Sequence, residues 1–206
     1  MSLLQEPLSH FLEELSSSSP TPGGGAAAAL AGALAAGLIA MVAGLTLGKR
    51  GYEGAEEEMK EALAEARALR DRLAGLIEAD IAAFEEVMAA YRLPKGDPAR
   101  PGALEAALKR ACAVPLETAE QCLRALELSK LVIARGNKNA KSDARAAAAL
   151  AAAGLEAALL NVEVNLQAME DKEFARECRE RAQELATAGE KAKALAMAYK
   201  GLQEAN

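Results

Sequence analysis

An all-α fold is predicted by three features of the chain. Ala, Leu, Glu, Lys and Arg, all strong helix formers, dominate it. Apolar residues recur at steps of three and four, and no segment alternates apolar with polar as a half-buried strand would. Clusters of Gly, Pro, Ser and Asn divide the chain into six stretches of helical length. The expected architecture is one domain over residues 1–206, a bundle of long antiparallel helices around a buried central helix. Aromatics make up 3% and Trp is absent, so Ala, Leu and Val must fill the core and helices can approach closely.

The first helix is expected from about Leu4 to Leu15, ended by Ser16 to Ser19 and the breaker Pro20-Thr21-Pro22-Gly23-Gly24-Gly25. From Ala26 to Leu47 no residue is charged, a run of 22 that is long enough to cross a bilayer. It is mostly Ala and Gly, with few of the residues that drive insertion, so it reads as the buried central helix of a soluble protein. Gly48 stops it, and Lys49 and Arg50 follow at the negative end of its dipole. The third helix spans about Gly54 to Tyr91 and breaks at Leu93-Pro94-Lys95-Gly96-Asp97-Pro98. A fourth, from Pro101 to Ala134, carries Pro115, whose ring predicts a kink. After Gly136-Asn137-Lys138-Asn139, Ser142 is the expected N-cap of a fifth helix to about Glu170, with Asp143 in its first turn. The sixth occupies most of Lys172 to Gln203.

The net charge is −6 and no basic stripe is interleaved with aromatics, which argues against nucleic acid. Three cysteines, Cys112, Cys122 and Cys178, form no close pair, which fits a reducing compartment. Residues Met1 to His10 lack the basic and apolar pattern of a signal peptide, so a cytoplasmic location with no membrane partner is expected. His10 is the one histidine, which excludes clustered His metal ligands and leaves little for a Ser-His or Cys-His nucleophile.

Several constellations could carry chemistry. On the third helix, Leu69, Leu73, Leu76 and Ile77, then Phe84, Val87 and Tyr91, form an apolar stripe, and Asp80 falls inside it. A carboxylate there is partly desolvated, which raises its pKa and suits a general acid or base. Pairing with an Arg, or capping a neighbouring helix, is the equal alternative. The three glycines opening the second helix let backbone amides face an anion or a polar ring, or else serve as a connector. Arg135, Lys138, Lys141 and Arg145, with Asn137 and Asn139, make a basic patch for an anionic tail or an ordinary solvated loop. Asn161 and Asn165 continue the small-residue face of Ala147, Ala151, Gly154 and Ala158, where they meet either a ligand or another helix.

Taken in order, these pieces resemble one family. They are Pro20-Thr21-Pro22-Gly23-Gly24-Gly25, Leu45-Thr46-Leu47-Gly48-Lys49, Asp80 with Ala83-Phe84, Leu93-Pro94-Lys95, Gly136-Asn137 with Asn139 and Ser142-Asp143, and Asn161 with Val164-Asn165. The set resembles the cyclodeaminase domain of formimidoyltransferase-cyclodeaminase and its stand-alone relatives, the methenyltetrahydrofolate cyclohydrolases. Two positions depart from the family pattern: Ala26 stands where a serine is expected, and Gly44 where an asparagine is expected.

The resemblance implies an all-α homodimer with a tetrahydrofolate derivative as substrate and no tightly bound cofactor or metal. It implies cyclodeamination of formimidoyltetrahydrofolate, with cyclohydrolysis of methenyltetrahydrofolate and a non-catalytic folate-binding dimer as alternatives. A separate formimidoyltransferase is a possible partner. Asp80 and Lys49 are then the expected catalytic pair. Thr21, Pro22, Gly23, Gly24, Gly25, Lys95, Asn137, Asn139, Ser142, Asp143, Asn161 and Asn165 are the expected substrate-binding set.

Overall fold

The structure, a computed structural model, describes residues 3–198. Helices α1 (Leu8–Leu15), α2 (Gly24–Gly44), α3 (Glu56–Arg92), α4 (Arg100–Arg135), α5 (Lys141–Gln167) and α6 (Lys172–Ala198) account for most of them, with three short 3₁₀ turns and no strand among the described residues. The six expected helices are therefore present. The expected end of the sixth, near Gln203, lies outside the described residues.

Contacts set the directions. Gly25 lies against Asp80 and Gly32 against Leu73, so α2 and α3 run antiparallel. Gly24 meets Asn161 and Gly154 meets Ala28, so α5 also runs antiparallel to α2. Gly32 meets Cys122 and Gly136 meets Val42, which makes α4 parallel to α2. Ion pairs Glu58–Arg135, Glu65–Arg124, Arg72–Glu117 and Glu86–Arg110 span α3 and α4 in antiparallel order. Being exposed, they fix register more than they add stability. Helix α6 covers α4 and α5 from outside.

Small residues let α2 sit in the middle. A β-carbon on Gly32 would lie 2.6 Å from Cys122 Sγ and 3.0 Å from Leu73 Cδ2. One on Gly154 would lie 2.9 Å from both the Ala28 carbonyl oxygen and Cys122 Sγ, and 3.2 Å from the Gly32 nitrogen. Helices α2, α4 and α5 thus meet at one thiol, with Leu73 of α3 alongside, and burial pushes the Cys122 thiol pKa up to about 12. All three cysteines are free and buried.

Some expectations need correction. Pro7 separates a 3₁₀ turn (Leu3–Gln5) from α1, because its ring suits a helix start and not an interior. Helix α2 begins at Gly24 and ends at Gly44, short of Leu47, where the chain turns through Thr46 and reaches Gly48 at φ +67°. It is central but not enclosed all round: Leu34, Met41 and Leu45 are 51%, 41% and 51% exposed, on one stripe. Both α2 and the segment Lys138–Gln167 are long and apolar enough to cross a membrane, with about half of each apolar stretch buried against other helices.

Helix α4 continues through Pro115 to Arg135. Ser142 is not the N-cap of α5. Asn137 caps a 3₁₀ turn (Lys138–Ala140) that runs directly into Lys141, so Ser142 and Asp143 both fall in the first helical turn. At its other end α5 stops at Gln167, before Glu170.

Candidate functional site

The first amides of a helix have no intrahelical partner. Gly23, at the N-cap of α2, has no side chain to offer them. Asp80 of α3 supplies the acceptor, taking a hydrogen bond from the Ala26 amide. It can do so because Gly25 lacks a side chain: a β-carbon there would lie 2.6 Å from Asp80 Cγ. Desolvation by burial holds the Asp80 carboxyl above the usual range, and the Ala26 hydrogen bond only partly offsets it. The two readings of Asp80 therefore coincide: it caps a neighbouring helix, and it is a half-buried carboxylate with raised basicity.

Asp80 faces a cleft of about 400 Å³ between the start of α2, the last turns of α3 and α5, and the first third of α4. Thr21 and the backbone of Gly23, Gly24 and Gly25 form one edge, with Asn161 and Asn165 on the α5 wall. Phe84, Val87, Met88 and Tyr91 line the α3 side, with Leu108 from α4. Among the described residues, Asp80 and Tyr91 are the only ionisable groups on the lining, and no Lys, Arg or His lines it. Such a site suits a neutral or cationic heterocycle that is rich in N–H donors.

Asn165 is held from across the cleft. Pro115 has no amide, so the Ala111 carbonyl, which would accept it in a regular helix, lacks its usual donor. The Asn165 Nδ2 donates to that oxygen at 2.6 Å. One turn earlier Asn161 Nδ2 donates to the Ala157 carbonyl at 2.8 Å.

The expected site residues divide into two groups. Thr21, Gly23, Gly24, Gly25, Asp80, Asn161 and Asn165 share the cleft. Pro22 is buried beside it, after a cis Thr21–Pro22 bond. Lys95 is exposed in the turn after α3, four residues beyond Tyr91. Lys49, Asn137, Asn139, Ser142 and Asp143 lie at the far end of α2, whose 21 residues span about 30 Å. Within one chain, Lys49 and Asp80 cannot touch the same small ligand.

Asn137 is 6% exposed and fully engaged. Its Nδ2 donates to the Leu45 carbonyl at 3.1 Å, its amide to Thr46 Oγ1 at 2.8 Å, and its Oδ1 accepts from the Asn139 amide at 3.0 Å. This residue ties the turn after α2 to the start of α5 instead of offering groups to a ligand. Nearby, Arg135 is taken up by Glu58 and the Gly54 carbonyl.

Four residues in or next to the cleft were not among the expected site residues. Tyr91 and Val87 continue the Asp80 face at steps of four, three and four, a spacing visible in the stripe. Arg100 lies over the Tyr91 ring at 6.0 Å, and no sequence signal marks it. Ala26, at the position of the expected serine, is fully buried and contributes its amide.

Comparison with known proteins identifies the family. A family model for formiminotransferase-cyclodeaminase matches residues 7–184. A methenyltetrahydrofolate cyclohydrolase of Methylorubrum extorquens is 44% identical over 176 residues, 84% of this chain and 85% of that protein. The formimidoyltransferase-cyclodeaminase of Sus scrofa is 35% identical over 184 residues, which cover 87% of this chain but 34% of that longer protein. The crystal structure of a formiminotetrahydrofolate cyclodeaminase from Thermotoga maritima superimposes with a TM-score of 0.87 at 32% identity, covering 93% of this chain and 94% of that one. The chain belongs to the formiminotransferase-cyclodeaminase family.

Proposed function

We propose that the chain is an enzyme that opens or closes the one-carbon bridge of tetrahydrofolate, acting as a methenyltetrahydrofolate cyclohydrolase. One observation carries this: a cleft whose only carboxylate among the described residues is half-buried, raised in pKa and faced by no described lining cation. The methenyl bridge is cationic, so an anion beside it favours binding, and the same group can take a proton from the attacking water. Water adds to the bridge carbon as Asp80 takes its proton. The adduct's hydroxyl then loses its remaining proton to solvent while the C–N bond breaks and Asp80 returns its proton to the departing ring nitrogen, leaving the formyl product.

The identity and matching length of the Methylorubrum protein favour hydrolysis over the deamination expected from sequence. Cyclodeamination is the second reading, supported by the Thermotoga structure. There the folate amine attacks the formimidoyl carbon, and Asp80 would shuttle the proton that lets ammonia depart. Neither reaction requires electron transfer. In both, the glutamate tail, which is anionic, lies outside the cleft, toward Lys95 and Arg100 beyond Tyr91.

A symmetric homodimer is part of the same proposal. The exposed Leu34, Met41 and Leu45 stripe is apolar and uncharged, and a two-fold axis across the middle of α2 would cover it with its own copy. That arrangement would also bring the Lys49 end of one α2 toward the Asp80 end of the other.

The deciding experiment follows the ultraviolet absorbance of methenyltetrahydrofolate. The purified protein should consume it, with formyltetrahydrofolate as the product. Formation of the same chromophore from formimidoyltetrahydrofolate, without hydrolysis, would transfer the assignment to cyclodeaminase. Folate binding without either reaction would leave a non-catalytic binding protein.

A further inference from the structure

The Asn165 side chain is oriented by an atom that α4 lacks. In a regular helix the amide of residue 115 would bond the carbonyl of residue 111. Proline at 115 removes that donor and exposes the Ala111 oxygen at the cleft wall, where Asn165 Nδ2 takes it at 2.6 Å. A flipped Asn165 would set two acceptor oxygens against each other, so the orientation follows from chemistry. With its nitrogen committed, Asn165 has only its oxygen to offer. The Asn161 nitrogen is likewise committed, to Ala157. Neither side-chain oxygen accepts a hydrogen bond from any described residue.

The polar complement of the cleft is then one-sided. Two amide oxygens stand on α5, one helical turn apart, and the Asp80 carboxylate lies on α3, with no cation among the described lining residues. A matching ligand edge carries adjacent N–H donors, as an aminopyrimidinone does with its ring N–H and exocyclic amine.

We propose that Pro115 is a positioning residue for substrate recognition: by withholding an amide from α4 it pins the Asn165 nitrogen to Ala111 and leaves the Asn165 oxygen as an acceptor for the N–H edge of the bound heterocycle. The recognition half rests on the folate reading above. The hydrogen-bond half does not.

Two measurements separate them. The first is a stability cycle by denaturant unfolding of wild type, Pro115→Ala, Asn165→Ala and the double variant. Asn165→Ala strands the Ala111 carbonyl in wild type but not in Pro115→Ala, where residue 115 regains its amide. Asn165→Ala should therefore shift the unfolding midpoint of the Pro115→Ala protein by no more than half its shift in wild type. Equal shifts in both backgrounds overturn the proposal.

The second compares the affinity of folate with that of an analogue bearing methyl in place of the 2-amino group. Wild type should prefer the amino compound about tenfold, the equivalent of one net hydrogen bond. Pro115→Ala and Asn165→Ala should both lose that preference, with KM raised and kcat little changed. An undiminished preference in both variants overturns the recognition role, whatever the stability cycle gives. If Pro115→Ala does not fold, Asn165→Ala alone decides the preference. If wild type binds neither compound, the folate reading fails and the recognition half falls with it, while the stability cycle still decides the hydrogen bond.

Discussion

The Asp80 carboxylate rests against the α-carbon of Gly25, in space that any larger residue at position 25 would occupy. The carboxylate reaches the Ala26 amide only because of that vacancy, and the same contact places it at the head of the cleft.

Asp80→Asn should separate stability from turnover. A carboxyl whose folded pKa is raised stabilises the fold while protonated, and that contribution is lost as pH rises through the folded value. Asparagine is neutral throughout and escapes the loss. The variant should melt no lower than wild type at pH 7, with any advantage vanishing below about pH 3.9, the ordinary aspartate value. Turnover should fall about 100- to 10,000-fold, the usual contribution of a positioned acid or base. Calorimetry and the absorbance assay on one preparation test both halves.

The pH profile carries the same sign. If Asp80 acts as the base, kcat/KM falls as pH drops through its raised pKa, so the acid limb lies above the ordinary carboxylate range. The residual activity of Asp80→Asn should lack that limb. A limb that persists unchanged in the variant assigns the ionisation to another group.

Gly25→Ala should leave a folded protein with a displaced Asp80, since a short side chain can rotate away from the new methyl more cheaply than two helices can part. The expected result is a turnover loss approaching that of Asp80→Asn with a largely retained melting temperature. Near-normal turnover would show that Asp80 works without its present placement.

Asn137→Ala should act on the fold. It leaves the part-buried Leu45 carbonyl without its donor and removes the cap on the Asn139 amide. A cost of about 1–3 kcal/mol in denaturant unfolding is expected for such a stranded group. An unchanged unfolding curve would mean that water replaces both bonds.

Leu34→Glu together with Met41→Glu tests the dimer. Both side chains are exposed in the single chain, so folding should be little affected. Sedimentation of wild type at micromolar concentration should give twice the 21.4 kDa chain mass, and the double variant should give the monomer. A monomeric wild type would remove the interface.

The six helices were legible because their apolar steps and Gly/Pro breaks are local properties, and Asp80 was legible because it interrupts a stripe. Spacing alone could not show which end of a long helix each motif occupies. Lys49 and Asn137 belong to the same ordered set as Asp80, yet the fold puts them at opposite ends of α2. Pro115 was visible as an irregularity, but its partner Asn165 lies fifty residues on, and only the packing of α4 on α5 joins them. The open stripe on α2 was hidden for another reason. In a run without charge, nothing in the residue types distinguishes the face that looks outward.

The junction of Gly32, Cys122 and Gly154 determines how the two sides of the cleft can respond to what enters it. There α5 approaches α2 through Gly154, with only the short, buried Cys122 side chain beside the glycines to change rotamer. Two helical turns further along α5 stand Asn161 and then Asn165. The gap between them and Asp80 is therefore a dimension of the scaffold, like the bore of a gauge, and it does not adapt to its contents. Compounds of graded bulk should meet a threshold in size, binding well up to it and poorly beyond it.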